Sequence, residues 1–179
     1  EQLLAATSRT VRDVIAPNLR VLFCGINPGL YTAAVGHHFA RPGNRFWPAL
    51  HAAGFTPRLL HPSEQALLLQ YGYGITNLVN RTTASADEVS PAEFVAGRRR
   101  LLAKVRRYQP RIVAFLGVGA FCHAFRLPRA APGPQTQRLS DARAWLLPNP
   151  SGLNANYQLP ALVRLFKALK ETAEDAENR

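Results

Sequence analysis

The chain has 179 residues, of which 47% are hydrophobic and 18% charged, so it can form one substantial core and lacks the composition of long disorder, collagen or a coiled coil. Its 22 basic residues against 11 acidic ones give a formal net charge of +11, which favours a polyanionic partner without establishing one. No segment has the ~20 apolar residues of a membrane-spanning helix, and the first residues do not resemble a signal peptide. We therefore expect a cytoplasmic protein without membrane association.

The cysteines and histidines form no disulfide or metal-binding pattern. Cys24 and Cys122 stand in apolar surroundings, fit no C-x-x-C pattern and are too few for a disulfide framework. His37 and His38 are adjacent, and the five histidines have no metal-ligand spacing. We expect no metal and no other cofactor.

Short apolar runs alternate with helix patterns along the chain. The clearest strand is the apolar run 20–25, which ends in glycine, and the clearest helix start is the capping box from Ser90 to Glu93 around Pro91. In chain order we predict a strand at 20–25, a long loop at 26–43, helices at 44–53 and 63–70, a strand at 74–79, a helix from 91 to about 108, a strand at 111–116, a helix at 117–125, a surface loop at 127–139, a strand at 144–147 and an amphipathic helix at 158–171. Residues from about 173 to 179 are expected to be frayed.

Strands that alternate with helices predict a parallel sheet with helices on both faces, and we expect residues 1–179 to form one α/β domain. Ligands of such sheets bind at the carboxyl ends of the strands. Two loops at that edge combine asparagine, proline and glycine: Gly-Ile-Asn-Pro-Gly at 25–29 and Asn-Pro-Ser-Gly-Leu at 149–153. Either loop alone is typical of an ordinary turn, but together they predict a cleft that takes a small polar heterocycle.

Four blocks of sequence carry a resemblance to a known family: residues 13–30, 39–47 (Phe-Ala-Arg-Pro-Gly-Asn-Arg-Phe-Trp), 74–79 and 147–153. With them the chain resembles the mismatch-specific uracil/thymine-DNA glycosylases of the uracil-DNA glycosylase superfamily over nearly its whole length. The resemblance implies a three-layer α/β/α sandwich with a central four-stranded parallel sheet. It also implies a monomeric, metal-free, monofunctional hydrolase of base excision repair. Such an enzyme works at the nucleoid, flips a mismatched or damaged pyrimidine out of double-stranded DNA and excises it, and uracil, thymine and exocyclic cytosine adducts all fit as the target.

The resemblance assigns the base pocket to the first loop and the residues after it. Asn27 matches the family's water-binding amide, which orients water, and Phe39 matches the aromatic side chain that stacks on the flipped base. Ile26, Tyr31 and Thr32 are expected to line this pocket. Taken alone, Asn27 also fits a turn cap, and Phe39 also fits a core phenylalanine.

The second loop resembles the family segment that fills the gap left by the flipped nucleotide. Leu153 corresponds to the apolar wedge, and Ser151 and Gly152 are expected to face DNA. Asn149 stands where the strictly uracil-specific branch has a histidine that stabilises the leaving base, which implies slower chemistry. Asn154 follows Leu153 where some relatives have an arginine.

Two of the 11 acidic residues, Asp87 and Glu88, are candidates for a general base, and Asp87 is the preferred one. Most of the others lie in the tail or in first helical turns, and Asp13 is expected at the far end of the first strand. Asp87 follows the second strand, whose carboxyl end opens on the cleft, so its carboxylate is expected to activate water or to stabilise an oxocarbenium-like sugar. A solvated loop acid or an Asx turn fits Asp87 equally well.

The basic residues suggest phosphate contacts close to the two loops. Arg41, Arg45 and Arg81 are candidates for these contacts, while Asn44 and Arg45 also fit a bracing or capping role. The dense basic run between 98 and 111 is typical of a solvated helix face, because neighbours on one helix point in several directions. A non-catalytic basic module would share the charge, and a Rossmann-like enzyme would share the sheet, but the first loop lacks the G-x-G-x-x-G pattern.

Overall fold

The computed structural model describes residues 5–177, except for the side chains of Thr7 and Glu177. Its strands are β1 (Val21–Gly25), β2 (Tyr73–Asn77), β3 (Ile112–Leu116), β4 (Gly133–Leu139) and β5 (Ala142–Leu147). They form one sheet in the order β2-β1-β3-β5-β4. β2, β1, β3 and β5 run parallel, and β4 pairs antiparallel with β5. The predicted α/β sheet is confirmed, with a fifth strand added at one edge.

The helices are α1 (Leu30–Val35), α2 (Phe46–Ala52), α3 (Pro91–Tyr108), α4 (Val118–Phe125) and α5 (Leu159–Glu177), with 3-10 helices at Ala6–Ser8, Pro62–Tyr71 and Ala86–Glu88. The predicted capping box opens α3. Ser90 Oγ accepts a hydrogen bond from the Glu93 N–H at 3.3 Å, and a Glu93 carboxylate oxygen accepts one from the Ser90 N–H at 2.7 Å. Among residues 5–177, no helix combines the length and the apolar character needed to cross a lipid bilayer.

Alternate side chains of the central strands enter two separate cores. Phe23 of β1 packs with α2 and α5 on one face of the sheet, in a cluster with Phe46 and Phe166. Cys24, the next residue, packs with α3 and α4 on the other face, in a cluster with Phe115. Because both faces are covered, the central strands β1 and β3 are continuous apolar runs in the sequence.

Two expectations were wrong because they depended on local composition. Residues 127–139 were expected to be a surface loop, yet 133–139 form β4. This edge strand is largely polar, with alternating half-buried and exposed side chains, because only one of its sides pairs with another strand. The long loop at 26–43 also contains the short helix α1.

Two further elements differ in extent or type. The segment predicted as a helix at 63–70 is a 3-10 helix, Pro62–Tyr71. Residues from about 173 were expected to be frayed; in the structure α5 continues to Glu177, and Ala173 is buried in the core. Residues 178 and 179 lie outside the described residues.

At Gly97, helix α3 lies close to the residue that follows β2. A Cβ atom built there would lie 2.1 Å from the carbonyl oxygen of Leu78, whereas a Cβ atom at Gly119 in α4 would meet no atom within 4 Å. The two glycines are therefore a matched pair, both inside helices and different only in the space around them.

We expect Gly97→Ala to lower the free energy of unfolding by about 1–3 kcal/mol, because α3 must move away from the end of β2. Gly119→Ala should raise this free energy by no more than about 1 kcal/mol, through helix propensity. Urea denaturation followed by circular dichroism measures both changes. Equal effects of the two substitutions would show that the packing of α3 does not depend on this contact.

Candidate active site

The carboxyl ends of the parallel strands open into a cavity of about 440 Å³, a volume typical of small-molecule sites. The loops after β1, β2 and β5 form most of its wall. Nine predicted site residues line it: Ile26, Asn27, Thr32, Phe39, Arg41, Asp87, Asn149, Ser151 and Leu153. Tyr31, Arg81 and Gly152 are not in this wall. The two sequence loops therefore meet in one cavity.

The first loop is fixed by the backbone of the chain that follows β2. The Ile26 carbonyl accepts a hydrogen bond from the Val79 N–H at 3.0 Å, and the Pro28 carbonyl accepts one from the Thr83 N–H at 3.1 Å. Gly29 and Thr83 form a parallel bridge. The pairing of β1 with β2 thus continues past the sheet and holds the loop at the cavity.

The Asn27 side chain has a defined orientation. Its Nδ2 donates to the Arg81 carbonyl at 2.8 Å and to Thr83 Oγ at 2.8 Å. The Arg81 carbonyl can only accept, and Thr83 Oγ uses its own hydrogen to donate to the Ser85 carbonyl at 2.7 Å. The amide nitrogen must therefore face these partners. Oδ1 remains as an acceptor, with no donor bonded to it among the described residues.

Asp87 reaches the cavity wall from the 3-10 helix Ala86–Glu88. A capping box fixes this helix, in which the Ser85 N–H donates to Glu88 at 2.7 Å and Ser85 Oγ accepts from the Asp87 N–H at 3.4 Å. The Asp87 side chain is exposed and has no ion-pair partner in the described part of the chain. Thr83 links this helix to Asn27, so the two predicted catalytic residues share one wall.

Phe39 lies in the cavity wall in a strained backbone conformation. Its φ is 54°, a left-handed value that is unfavourable for L residues by roughly 1–2 kcal/mol. The ring packs 4.3 Å from the ring of Phe46 and lies over Gly25, where a Cβ atom would be 3.3 Å from it. Packing against Phe46 thus holds the strained residue at the cavity, as is common at functional sites.

Asn77 also lines the cavity and was missed in the sequence. Its Oδ1 lies 2.6 Å from the position of a Cβ atom at Gly25, so only glycine at the end of β1 leaves room for this amide. Asn77 is the last residue of β2. The rule that ligands bind at the carboxyl ends of strands could have identified it.

The second loop places an amide and an apolar side chain at the cavity. Asn149 Oδ1 accepts a hydrogen bond from the Ser151 N–H at 3.0 Å, which leaves Nδ2 as the donor end of this amide. Leu153 is 76% exposed, and its N–H donates to Ser151 Oγ at 3.2 Å. Gly152 lies against Gly43, whose carbonyl oxygen would be 2.6 Å from a Cβ atom at 152. This loop therefore packs closely on the chain before α2.

Arg45 has the bracing role that was one of its two predicted roles. Its guanidinium group donates to the carbonyls of Ser151 at 2.8 Å and Asn154 at 3.1 Å, and also to that of Tyr157. Its backbone N–H donates to the Pro150 carbonyl at 2.9 Å. Beside it, Asn44 Oδ1 caps α2 through the Phe46 N–H at 2.9 Å. Because the guanidinium group of Arg45 donates its hydrogen bonds to these carbonyls, the structure gives no support to Arg45 as a phosphate contact.

The other two arginines near the loops, Arg81 and Arg41, differ in whether their side chains are available to contact a phosphate group. Arg81 forms an ion pair with Glu93 at 2.8 Å, and this hydrogen-bonded partner lowers the pKa of Glu93 to about 2. Arg41 is exposed, lines the cavity and has no ion-pair partner among residues 5–177. Of the three predicted phosphate contacts, Arg41 is therefore the best placed.

Asp13 lies elsewhere than expected. The chain before β1 pairs with β2 through an antiparallel bridge between Val14 and Ile75, which brings Asp13 to the carboxyl half of the sheet. There it accepts a hydrogen bond from Thr76 Oγ at 2.9 Å and forms an ion pair with Lys104. Asp13 is outside the cavity wall, so these contacts give it a structural role.

The residues that the structure describes contain no group of three or more histidine, cysteine, aspartate or glutamate side chains that could hold a metal ion. Both cysteines are free thiols.

The contacts of Arg45 predict that the protein becomes less stable when the planar guanidinium group is replaced. We expect Arg45→Lys to lower the free energy of unfolding by about 1–3 kcal/mol, because an ammonium group cannot satisfy three carbonyls in one plane. Arg41→Lys, with the same chemical change at an exposed position, is the control and should have no measurable effect. Urea denaturation compares them, and equal stability of the two variants would contradict the bracing role.

His38 makes stability depend on pH. It is 1% exposed, and its Nε2 donates to the Arg12 carbonyl at 2.7 Å, so the neutral ring carries its proton on Nε2. Burial lowers the pKa of His38 from its ordinary value of 6.5. Protonation thus favours the unfolded chain, and the stabilisation present above the ordinary pKa is lost as the pH falls below it.

We therefore expect the urea midpoint to fall between about pH 7 and pH 5, and to fall less in His38→Gln, which has no titrating ring. Equal pH dependence in both proteins would contradict this role of His38.

Comparisons with known proteins show the family and the fold of the chain. The family model of the uracil DNA glycosylase superfamily matches residues 12–175. A solution NMR structure from Methanosarcina acetivorans, described as a candidate uracil DNA glycosylase, superimposes with a TM-score of 0.59. The sequences are 18% identical, and the match covers 90% of this chain and 98% of that one, so the likeness concerns the fold. Because the family model matches most of the sequence, the chain belongs to the uracil DNA glycosylase superfamily.

Proposed function

We propose that the protein is a monofunctional DNA glycosylase that excises uracil and related pyrimidines from mismatched double-stranded DNA and leaves an abasic site. The observation that carries this proposal is that one cavity contains two oppositely oriented amides, an aromatic ring on a residue with a strained backbone, and a carboxylate. Family membership supports DNA as the substrate.

The two amides match the two polar demands of base excision. Breaking the N-glycosidic bond produces an oxocarbenium-like sugar and a pyrimidine anion, so the site needs an acceptor for the attacking water and a donor for the leaving base. Asn27 offers Oδ1 as an acceptor because Nδ2 is held by Arg81 and Thr83. Asn149 offers Nδ2 as a donor because Oδ1 is held by Ser151. Both groups are neutral, which fits slow chemistry.

Asp87 supplies the negative charge in the proposed reaction. As the bond electrons move to the pyrimidine, the water oxygen bonds to the sugar carbon and the water gives up a proton, which Asp87 accepts. The carboxylate also stabilises the positive charge that develops on the sugar. Asp87 and Asn27 line the same cavity, which supports a shared role for them in the proposed reaction.

The remaining wall residues fit a flipped nucleotide. Phe39 stacks on the pyrimidine, and stacking alone tolerates several bases. Leu153 fills the gap in the duplex, beside the DNA-facing Ser151 and Gly152, and Arg41 contacts a phosphate group. The high exposure of Leu153 supports this role, because an apolar side chain in solvent gains from insertion between bases.

A set of duplexes that differ only in the target base tests the proposal. We expect alkali-sensitive abasic sites in duplexes with a G·U pair, in the presence of EDTA, and none in the duplex with a G·C pair. Thymine and exocyclic cytosine adducts in the same context define the substrate range. No product from the G·U duplex at saturating enzyme would contradict the proposed function.

Asp87→Asn removes the proposed base with little change of shape. We expect single-turnover excision to fall by about 10²–10⁴-fold, whereas binding to the duplex is kept. Glu88→Gln removes a charge one residue away and still accepts the Ser85 N–H, so it should react at the wild-type rate. Wild-type excision by Asp87→Asn would leave Asn27 as the main catalytic group.

A further inference from the structure

Helix α3 presents a basic surface that the proposed reaction does not use. From Ala92 onward its exposed residues are Ala92, Ala96, Arg99, Arg100, Ala103, Arg106 and Arg107. At about 100° per residue these seven lie within about a third of the helix circumference. We call them the α3 arginine face, because it consists of arginine and alanine alone.

Two other basic residues of α3, Arg98 and Lys104, do not belong to this face. Arg98 lies over the ring of Phe125 at 5.5 Å, and Lys104 pairs with Asp13, so both are used inside the fold. None of the four arginines on the face is in an ion pair within residues 5–177. Arg107 lies over the ring of Tyr108 at 5.2 Å. Four guanidinium groups are thus available for an external anion.

The spacing on this face suits a regular polyanion. Arg99 and Arg106 are seven residues apart, as are Arg100 and Arg107, which corresponds to about 10 Å along the helix, or roughly three base-pair steps. The intervening alanines are small, so a phosphate backbone can approach the helix surface. Arginine also binds phosphate with a planar pair of donors.

The direction of α3 separates this face from the cavity. The helix begins near the cavity rim, where Glu93 pairs with Arg81, and its 18 residues extend about 27 Å towards the amino ends of the strands. DNA engaged at the cavity lies across the carboxyl ends. Arg106 and Arg107, in the last turns of α3, are therefore far from such a duplex.

We propose that the α3 arginine face binds the phosphate backbone of a second segment of duplex DNA, separate from the segment that holds the target base. This inference rests on the proposed function only in taking DNA as the partner. One molecule can then bridge two duplex segments and pass between them during a search.

Bridging is measured by energy transfer between two short undamaged duplexes, one with a donor dye and one with an acceptor dye. We expect wild-type protein to produce energy transfer, and the fourfold Arg→Gln variant at 99, 100, 106 and 107 to lose it. The matched control has Arg→Gln at four other exposed positions, 126, 129, 138 and 143, and the same change in net charge. A fourfold Arg→Lys variant of the face should retain bridging.

Salt titration of duplex binding gives a second readout. The plot of log affinity against log salt should lose about 0.9 in slope for each phosphate contact removed from the face, and keep its slope in the control. Equal losses in both variants would show diffuse attraction and overturn the proposal, as would no bridging by wild-type protein. Thermal unfolding checks that every variant is folded.

Single-turnover excision on a short G·U duplex separates the two proposals. We expect the α3 variant to excise at the wild-type rate when the enzyme is saturating. Bridging without any excision would contradict the proposed function alone, and excision without bridging would contradict this inference alone.

Discussion

The hydrogen bond from Asn27 Nδ2 to the Arg81 carbonyl connects most of the features of this cavity. It joins the loop after β1 to the chain after β2, and it fixes which end of the amide is available as an acceptor. Through Thr83 the same contact leads to Ser85 and so to the short helix that carries Asp87. The Arg81 side chain extends it to Glu93 at the start of α3. This backbone acceptor therefore helps to set the relative positions of both proposed catalytic residues.

The second loop reaches the cavity by a different physical route. Its carbonyls have no strand to pair with, so the guanidinium group of Arg45 supplies their donors. In the Asx turn at Asn149, Oδ1 accepts the hydrogen bond from Ser151, so Nδ2 is the available end of this amide. At Asn27 the available end is Oδ1, because Nδ2 is bonded. Since both amides are neutral, in the proposed site they act through their orientation, and the carboxylate of Asp87 supplies the charge. This dependence on orientation explains why so many contacts support so few reacting atoms.

The sequence predicted the features that depend on local pattern. The apolar runs of β1 and β3, the capping box of α3 and the placement of nine wall residues all follow from short stretches of chain. The failures have long-range causes. β4 is polar because it lies at an edge, and Asp13 is moved by the pairing of its segment with β2. The partners of Arg45 and Arg81 are also distant in sequence, and the phosphate contact of Arg81 stays a prediction. Composition could count these arginines but could not show which are free.

The resulting charge distribution suits the proposed chemistry. A cluster of guanidinium groups at the cavity would attract DNA, but it would also oppose the positive charge that develops on the sugar as the bond breaks. In the structure, two of the three nearby arginines are used within the fold, and the carboxylate of Asp87 lies in the wall. The four arginines of the α3 arginine face are outside the cavity wall, on a helix that extends away from the rim. Under the two proposals, attraction to the polyanion and stabilisation of the cation therefore belong to different surfaces of one small fold.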